Sequence, residues 1–172
     1  MSSNQQHLIP DPCQQVREFT EESKQISCPR VPQSMSKDTI LYLLRMVFSE
    51  LHELTATVSS NEYDAKDFMM HALHTMDLCH KFDYPTEEEK IGAQADSLVD
   101  AWYYMFNVAT NHGMNLSNIF QIVHEANMDK RDPATGKFIR RETDGKIMKP
   151  AGWREPDITG EIKRQMTEGS WS

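Results

Sequence analysis

The chain has 172 residues, about the size of one domain. Its 18 Lys and Arg against 26 Asp and Glu give a formal net charge of −8, which argues against a nucleic-acid polymer as partner. No apolar run approaches the roughly 20 residues of a membrane span, and the N-terminal segment lacks a signal-peptide pattern. The three cysteines are widely spaced and fit neither a disulfide framework nor a zinc site. These features predict a soluble, cytoplasmic single domain over residues 1–172 that has no membrane partner.

Residues 1–35 are polar and contain four prolines, so they predict an N-terminal arm rather than part of the core. Only 14–24 fits a helix there, with Val16 and Phe19 on one face. Such an arm would lie on the body of the protein or on a neighbouring subunit.

Residues 36–130 carry the hydrophobic periodicity of helices. Ser36 can cap the first helix, and apolar residues then recur every three or four positions as far as Val58. The acidic run 87–89 suits the start of another helix, because it lies at the positive end of the helix dipole. The predicted helices cover 36–58, 63–81, 87–113 and 116–126.

The chain changes character after Met128. Thr143-Asp144-Gly145 lies between short β-compatible segments, and Asp-Gly is a strong hairpin signal. Trp153 stands in a proline-rich loop that follows, within 131–158, and we predict a tail over 159–172. The predicted fold is therefore all-α: a four-helix bundle core with an N-terminal arm and a small C-terminal β-hairpin.

Two pairs of carboxylates lie inside apolar helical segments. Glu50 and Glu53 are three residues apart, and Asp96 and Asp100 are four apart, so each pair shares one helix face. If the helices pack together, four carboxylates converge and repel each other, and hard cations such as Mg²⁺ or Mn²⁺ relieve that repulsion. A single acidic pair is more often solvated surface. On pattern alone, a metal site and an ordinary surface both stay open.

Other motifs are weaker evidence for a metal or nucleotide site. His71 and His74, with Asp67 one turn earlier, could form a second metal face, although such a pair more often lies at a surface or a packing contact. The HExxH motif of zinc proteases fails because position 56 is Ala, and no P-loop motif is present.

Several short motifs, in their order and spacing, resemble the all-α NTP pyrophosphohydrolases, the superfamily of MazG and phosphoribosyl-ATP pyrophosphohydrolase. The resemblance covers roughly 36–158, and VREF at 16–19 also resembles the opening of one branch. The sequence departs from the family pattern in two places. Ser49 stands where the branch often has a second acidic residue beside the first, and neither Ala93 nor Ser97 is the glutamate that the superfamily usually has there. The matching segments are SELHEL (49–54), ADSLVDAWYY (95–104), HEANMDK (124–130), the Asp-Gly turn, KPAGW (149–153) and PDI (156–158).

The resemblance implies hydrolysis of a nucleoside triphosphate to its monophosphate and pyrophosphate. Glu50, Glu53, Asp96 and Asp100 would be the metal-binding and catalytic residues, with Mg²⁺ or Mn²⁺ lowering the pKa of a water that attacks the α-phosphorus. A homodimer or homotetramer is typical of such proteins. The branch includes phage relatives that act on dGTP, which favours a purine deoxynucleotide as substrate.

For substrate binding we predict Asn127 and Lys130 as phosphate donors, followed by Lys149, with Phe19 and Trp153 as contacts to the base. Two other classes stay open. One is a non-catalytic helical interaction or nucleotide-binding module that keeps the fold with a degenerate metal site. The other is a carboxylate-bridged di-metal redox protein.

Overall fold

The computed structural model of the protein describes residues 10–77 and 81–171. The predicted all-α class is confirmed. None of the helices described is long and apolar enough to cross a membrane. The helices in these ranges are α1 (Pro12–Lys24), α2 (Lys37–Ala56), α3 (Glu62–Thr75), α4 (Glu87–Asn111), α5 (Leu116–Met128) and α6 (Ile158–Glu168).

Side-chain caps explain where most of these helices begin. The predicted cap at Ser36 is confirmed, because its Oγ accepts a hydrogen bond from the Thr39 N–H at 3.2 Å. Asn61 caps α3 in the same way. That helix ends at Thr75, earlier than predicted, because Met76 is already extended; residues 78–80 of the predicted helix lie outside the described residues.

The chain packs as two compact units. The first, here called the α5 unit, comprises the described parts of Met1–Arg30 and Asp100–Ser172. The second, the α2 unit, is Val31–Val99. This division does not test the prediction of a single domain.

In the α2 unit, α2 packs against α3. Ala65 of α3 is buried, and the Thr55 hydroxyl of α2 donates to its carbonyl oxygen at 3.5 Å. The Gln94 side chain of α4 both accepts from the backbone N–H of Met35 (2.7 Å) and donates to its carbonyl (3.1 Å). The segment that leads into α2 is therefore fixed to the first half of α4.

In the α5 unit, α5 packs against both α1 and α6. Gln15 on α1 is buried and donates to the Gln121 side chain on α5 at 2.8 Å. The ring of Phe19 meets the buried ring of Phe138 edge-on, with centroids 5.4 Å apart. The helix predicted within the N-terminal arm is thus formed, as α1, and lies on the body of its own chain.

Helix α6 occupies the segment that we predicted as a tail. Its buried Gln165 accepts from the Asn115 N–H (2.9 Å) and donates to the Asn115 carbonyl (3.1 Å), which fixes α6 to the start of α5. Ile158, Ile162 and Met166 recur every four residues along α6, but the segment is short and mostly polar, which is why the sequence analysis predicted a tail there.

The predicted β-hairpin is not confirmed. The backbone does turn at Gly145 (φ 69°), with Arg141 N–H donating to the Lys146 carbonyl at 2.9 Å. However, the pairing consists of isolated antiparallel bridges, at Arg131–Phe138 and Arg140–Ile147, and no strand occurs in the described ranges. Pro133 and Pro150 bound the segment, and proline has no N–H with which to extend a ladder.

Glu161 generates a prediction about acid stability. Hydrogen bonds to its carboxylate, from Arg164 first and then from Gln165 and Asn118, lower its pKa from 4.5 to about 2. A lowered folded-state pKa contributes stability that is present above pH 4.5 and is lost as the pH falls towards about 2. We therefore expect Glu161→Gln to lower the thermal unfolding midpoint at pH 7, and the difference from the natural protein to shrink below pH 4.5.

The matched control is Glu168→Gln on the same helix, because this exposed carboxylate contacts Arg164 at 3.2 Å but makes no hydrogen bond or ion pair with the described residues of α5. Its effect at pH 7 should be the smaller of the two. A Glu161→Gln deficit that stays constant from pH 7 to pH 3 would contradict this assignment.

Candidate active site

The carboxylates of Glu50 and Glu53 lie on α2, one helical turn apart, and both are exposed. Residues at this spacing are neighbours on a helix surface, roughly 5–6 Å apart at Cβ. Neither carboxylate makes a side-chain hydrogen bond or an ion pair with any residue that the structure describes. The pair is therefore available to a ligand.

Asp96 and Asp100 form the second pair, on α4, where they are likewise exposed one turn apart. They too are without ion-pair or hydrogen-bond partners in the described ranges. Asp96 belongs to the α2 unit, whereas Asp100 begins the second part of the α5 unit. The continuous helix α4 holds the two at i,i+4 spacing.

Within a single chain, the described residues contain no group of three or more His, Cys, Asp or Glu that could hold a metal ion. His71, His74 and Asp67 on α3, which are among the described residues, form no such group. The convergence of the four carboxylates at one metal site stays a prediction. The donor set fits a hard divalent cation, because its members are carboxylate oxygens with which no basic side chain in the described ranges forms an ion pair.

Lys130 stands immediately beyond α5 and is the centre of a basic cluster in the α5 unit. Its Nζ donates to the Asn127 Oδ1 at 2.7 Å, so these two predicted phosphate donors are brought together. The same Nζ lies 5.5 Å from the centre of the Trp153 ring, and the Nζ of Lys149 lies 4.0 Å from it. Four of the five predicted substrate-binding residues are thus in one place.

The cluster carries unbalanced positive charge. Burial lowers the pKa of Lys130, and the charges of Lys149 and Lys146 lower it further. Glu155 is a counter-charge to Lys149, with its carboxylate 3.4 Å from the Lys149 Nζ, but it is 82% exposed, so solvent screens that pair.

A cleft of about 300 Å³ opens beside these lysines. Arg141, which the sequence analysis missed, is among its lining residues and is fixed by the Asp144 carboxylate through contacts of 2.8 and 2.5 Å. This bidentate pair lowers the pKa of Asp144 to about 2. The cleft is lined by Lys130, Arg141, Lys146, Ile147, Met148 and Lys149.

Phe19, the fifth predicted substrate-binding residue, lies elsewhere in the α5 unit. Its ring packs on Phe138, which lines a separate cleft with Glu22 and Gln25. No described residue of the lysine cleft contacts Phe19 through an aromatic or hydrogen-bonding contact. A role for Phe19 at the substrate stays a prediction.

The chain was compared with protein families, curated proteins and solved structures. No protein-family model matches the chain, and no curated protein matches it. A crystal structure from Exiguobacterium sp. 255-15, described as that of "a putative NTP pyrophosphohydrolase", is similar to it with a TM-score of 0.78 and 29% identity. The similarity covers 92% of this chain and 98% of the other. The resemblance to the NTP pyrophosphohydrolases predicted from the ordered motifs is therefore confirmed, with a helical fold shared along nearly the whole chain.

Proposed function

We propose that the protein is a metal-dependent pyrophosphohydrolase that converts a (d)NTP to the (d)NMP and pyrophosphate. The observation that carries this proposal is the similarity to the Exiguobacterium protein over 92% of the chain. The free carboxylate pairs and the lysine cleft add the two kinds of group that such a reaction requires, namely metal ligands and phosphate-binding cations.

Glu50, Glu53, Asp96 and Asp100 are the residues that would hold Mg²⁺ or Mn²⁺. When bound, such an ion neutralises phosphate charge and lowers the pKa of a water molecule. A carboxylate of this set that is not engaged by metal would accept the proton of the attacking water. The water oxygen would bond to the α-phosphorus, the bond between the α-phosphorus and the oxygen that bridges it to the β-phosphorus would break, and pyrophosphate would leave with that bridging oxygen.

Lys130, Lys149 and Asn127 would bind the phosphates. The Asn127 Oδ1 already accepts from Lys130, so the amide NH₂ remains to donate to a phosphate oxygen. Ammonium and amide donors stabilise the charge that spreads over the phosphate oxygens during the displacement. We propose a purine deoxynucleotide such as dGTP as the substrate, on the resemblance to the branch.

We also propose a homodimer or homotetramer. Large apolar side chains on α2 and α4 stay more than a third exposed in the single chain, and covering them contributes about 25 cal/mol per Å². A second copy would supply that cover and would enclose the carboxylates beside it in a less hydrated surface. These side chains include Leu41, Tyr42, Leu44 and Phe48 on α2 and Val99, Trp102, Tyr103 and Val108 on α4.

Product analysis tests the proposed activity. The purified protein should release pyrophosphate and a monophosphate from at least one (d)NTP when Mg²⁺ or Mn²⁺ is present. Inorganic phosphate alone would contradict the proposed reaction, and no product from any nucleotide would contradict it and favour the non-catalytic module. Visible-region absorption from bound metal would favour the redox class.

In the same assay, Glu53→Gln or Asp100→Asn should reduce turnover by about 100-fold or more, because each removes an anionic ligand while keeping its shape. Glu88→Gln is the matched control, since this acid lies in the first turn of α4, two turns before Asp96. Helix content by circular dichroism should be the same in all three. Near-natural rates in either of the first two variants would show that the site has been assigned wrongly.

A substitution on α2 tests the assembly. Leu44→Asp places a charge in the exposed apolar face and should shift the mass measured by light scattering towards that of one chain. Met166→Asp on α6 is the control, because Met166 is 81% exposed and lies outside that face, so the mass should not change. A natural protein that is monomeric at its working assay concentration would contradict the proposed assembly.

A further inference from the structure

We propose that Trp153 is a positioning residue whose ring holds the ammonium groups of Lys130 and Lys149 together as a binding site for a polyphosphate, rather than stacking on the base. This inference deepens the proposed function and rests on it. It assigns to the lysine cleft the β- and γ-phosphates of the substrate, which leave as pyrophosphate.

The backbone around Trp153 fixes the position of its ring. The indole N–H donates to the Ala126 carbonyl at 2.7 Å, which ties the ring to the last turn of α5. A turn brings the residue there, with Trp153 N–H donating to the Pro150 carbonyl at 3.1 Å and Gly152 at a φ of 83°. Because glycine adopts that φ without strain, the residue at position 152 suits this turn, and the turn fixes the backbone that leads into Trp153.

The ring holds two ammonium groups that would otherwise move apart. Their Nζ atoms lie 4.0 Å (Lys149) and 5.5 Å (Lys130) from its centre, both within the distance at which a cation is attracted to an aromatic face. Asn127 adds a hydrogen bond to Lys130 at 2.7 Å. Mutual repulsion of the lysines is thus opposed by an aromatic ring and an amide, neither of which cancels their charge.

The occupied ring argues against base stacking. A base that stacked on the face beneath Lys149 would have to displace an ammonium group 4.0 Å from the ring centre. The charges of the cleft favour an anion instead, because Lys130, Lys146 and Lys149 line it together. Of the nearby acids, Asp144 is bound to Arg141, and Glu155 is largely in solvent.

The number of cations indicates the class of ligand. Three ammonium groups spread around a cleft of about 300 Å³ complement an anion that carries several charges over more than one phosphorus atom. A single inorganic phosphate would meet only part of this set. We therefore expect pyrophosphate to bind more tightly than phosphate, even without a divalent cation.

Calorimetric titration of the full-length protein with inorganic pyrophosphate, in metal-free buffer, tests the inference without requiring turnover. Trp153→Leu should weaken binding by about 3- to 10-fold because it removes the aromatic face. Trp153→Phe keeps an aromatic face and should lose less. Trp171→Leu and Lys163→Met are the controls, because both residues lie outside the cleft, and each should bind as the natural protein does.

Lys149→Met keeps the test decisive if Trp153→Leu does not fold, because it leaves the ring and its hydrogen bond in place. It should weaken pyrophosphate binding at least as much as Trp153→Leu. In turnover, Trp153→Leu should raise KM for the nucleotide more than it lowers kcat, whereas a loss of folded protein would lower only the apparent kcat.

Unchanged pyrophosphate affinity in Lys149→Met or in folded Trp153→Leu would overturn the inference. So would a natural protein that binds phosphate as tightly as pyrophosphate. If the natural protein binds pyrophosphate and both variants weaken it, but no nucleotide is hydrolysed, the proposed function fails while the lysine–tryptophan site stands.

Discussion

The exposure of large apolar side chains on the long helices α2 and α4, in the part of the chain that the structure describes, is the constraint on which the proposed site depends. Among the hydrophobic residues that the structure describes, only Ala65, Ala109 and Phe138 are buried. Exposed apolar patches of this extent mark interaction surfaces in soluble proteins. The carboxylate pairs lie on the same two helices, α2 and α4, so the proposed assembly and the proposed metal site depend on one another.

Polar contacts between helices stabilise the α5 unit. Its helices are joined by buried or half-buried polar side chains, from Gln15 to Gln121 and from Gln165 to Asn115, at about ordinary hydrogen-bond distances. Such contacts are directional, and they fix the Trp153 loop and its lysines within one chain. The proposed phosphate-binding residues are therefore brought together within one chain, whereas a metal site built from the two carboxylate pairs stays a proposal.

Hydrophobic periodicity and helix caps were enough to predict α2, α4 and α5 and the cap at Ser36, because these features are local. Helix α6 was missed because its segment is short and mostly polar, and the contacts of Gln165 and Glu161 that fix it to α5 cannot be read from the sequence. Spacing placed each carboxylate pair on one helix face but could not show what lies opposite that face, because this depends on how the helices pack. Arg141 could have been suspected only from its place beside the predicted Asp-Gly turn, and the ring contacts of Trp153 depend on three-dimensional proximity.

Mn²⁺ binding, followed by electron paramagnetic resonance without any nucleotide, tests the central claim most directly. We propose that the carboxylates on α2 and α4 form the metal site of the assembled protein. The natural protein should take up Mn²⁺ in its assembled state, and Glu53→Gln and Asp96→Asn should each weaken that uptake by about 10-fold or more, while Glu88→Gln should not. Equal Mn²⁺ binding by all four proteins would contradict the claim.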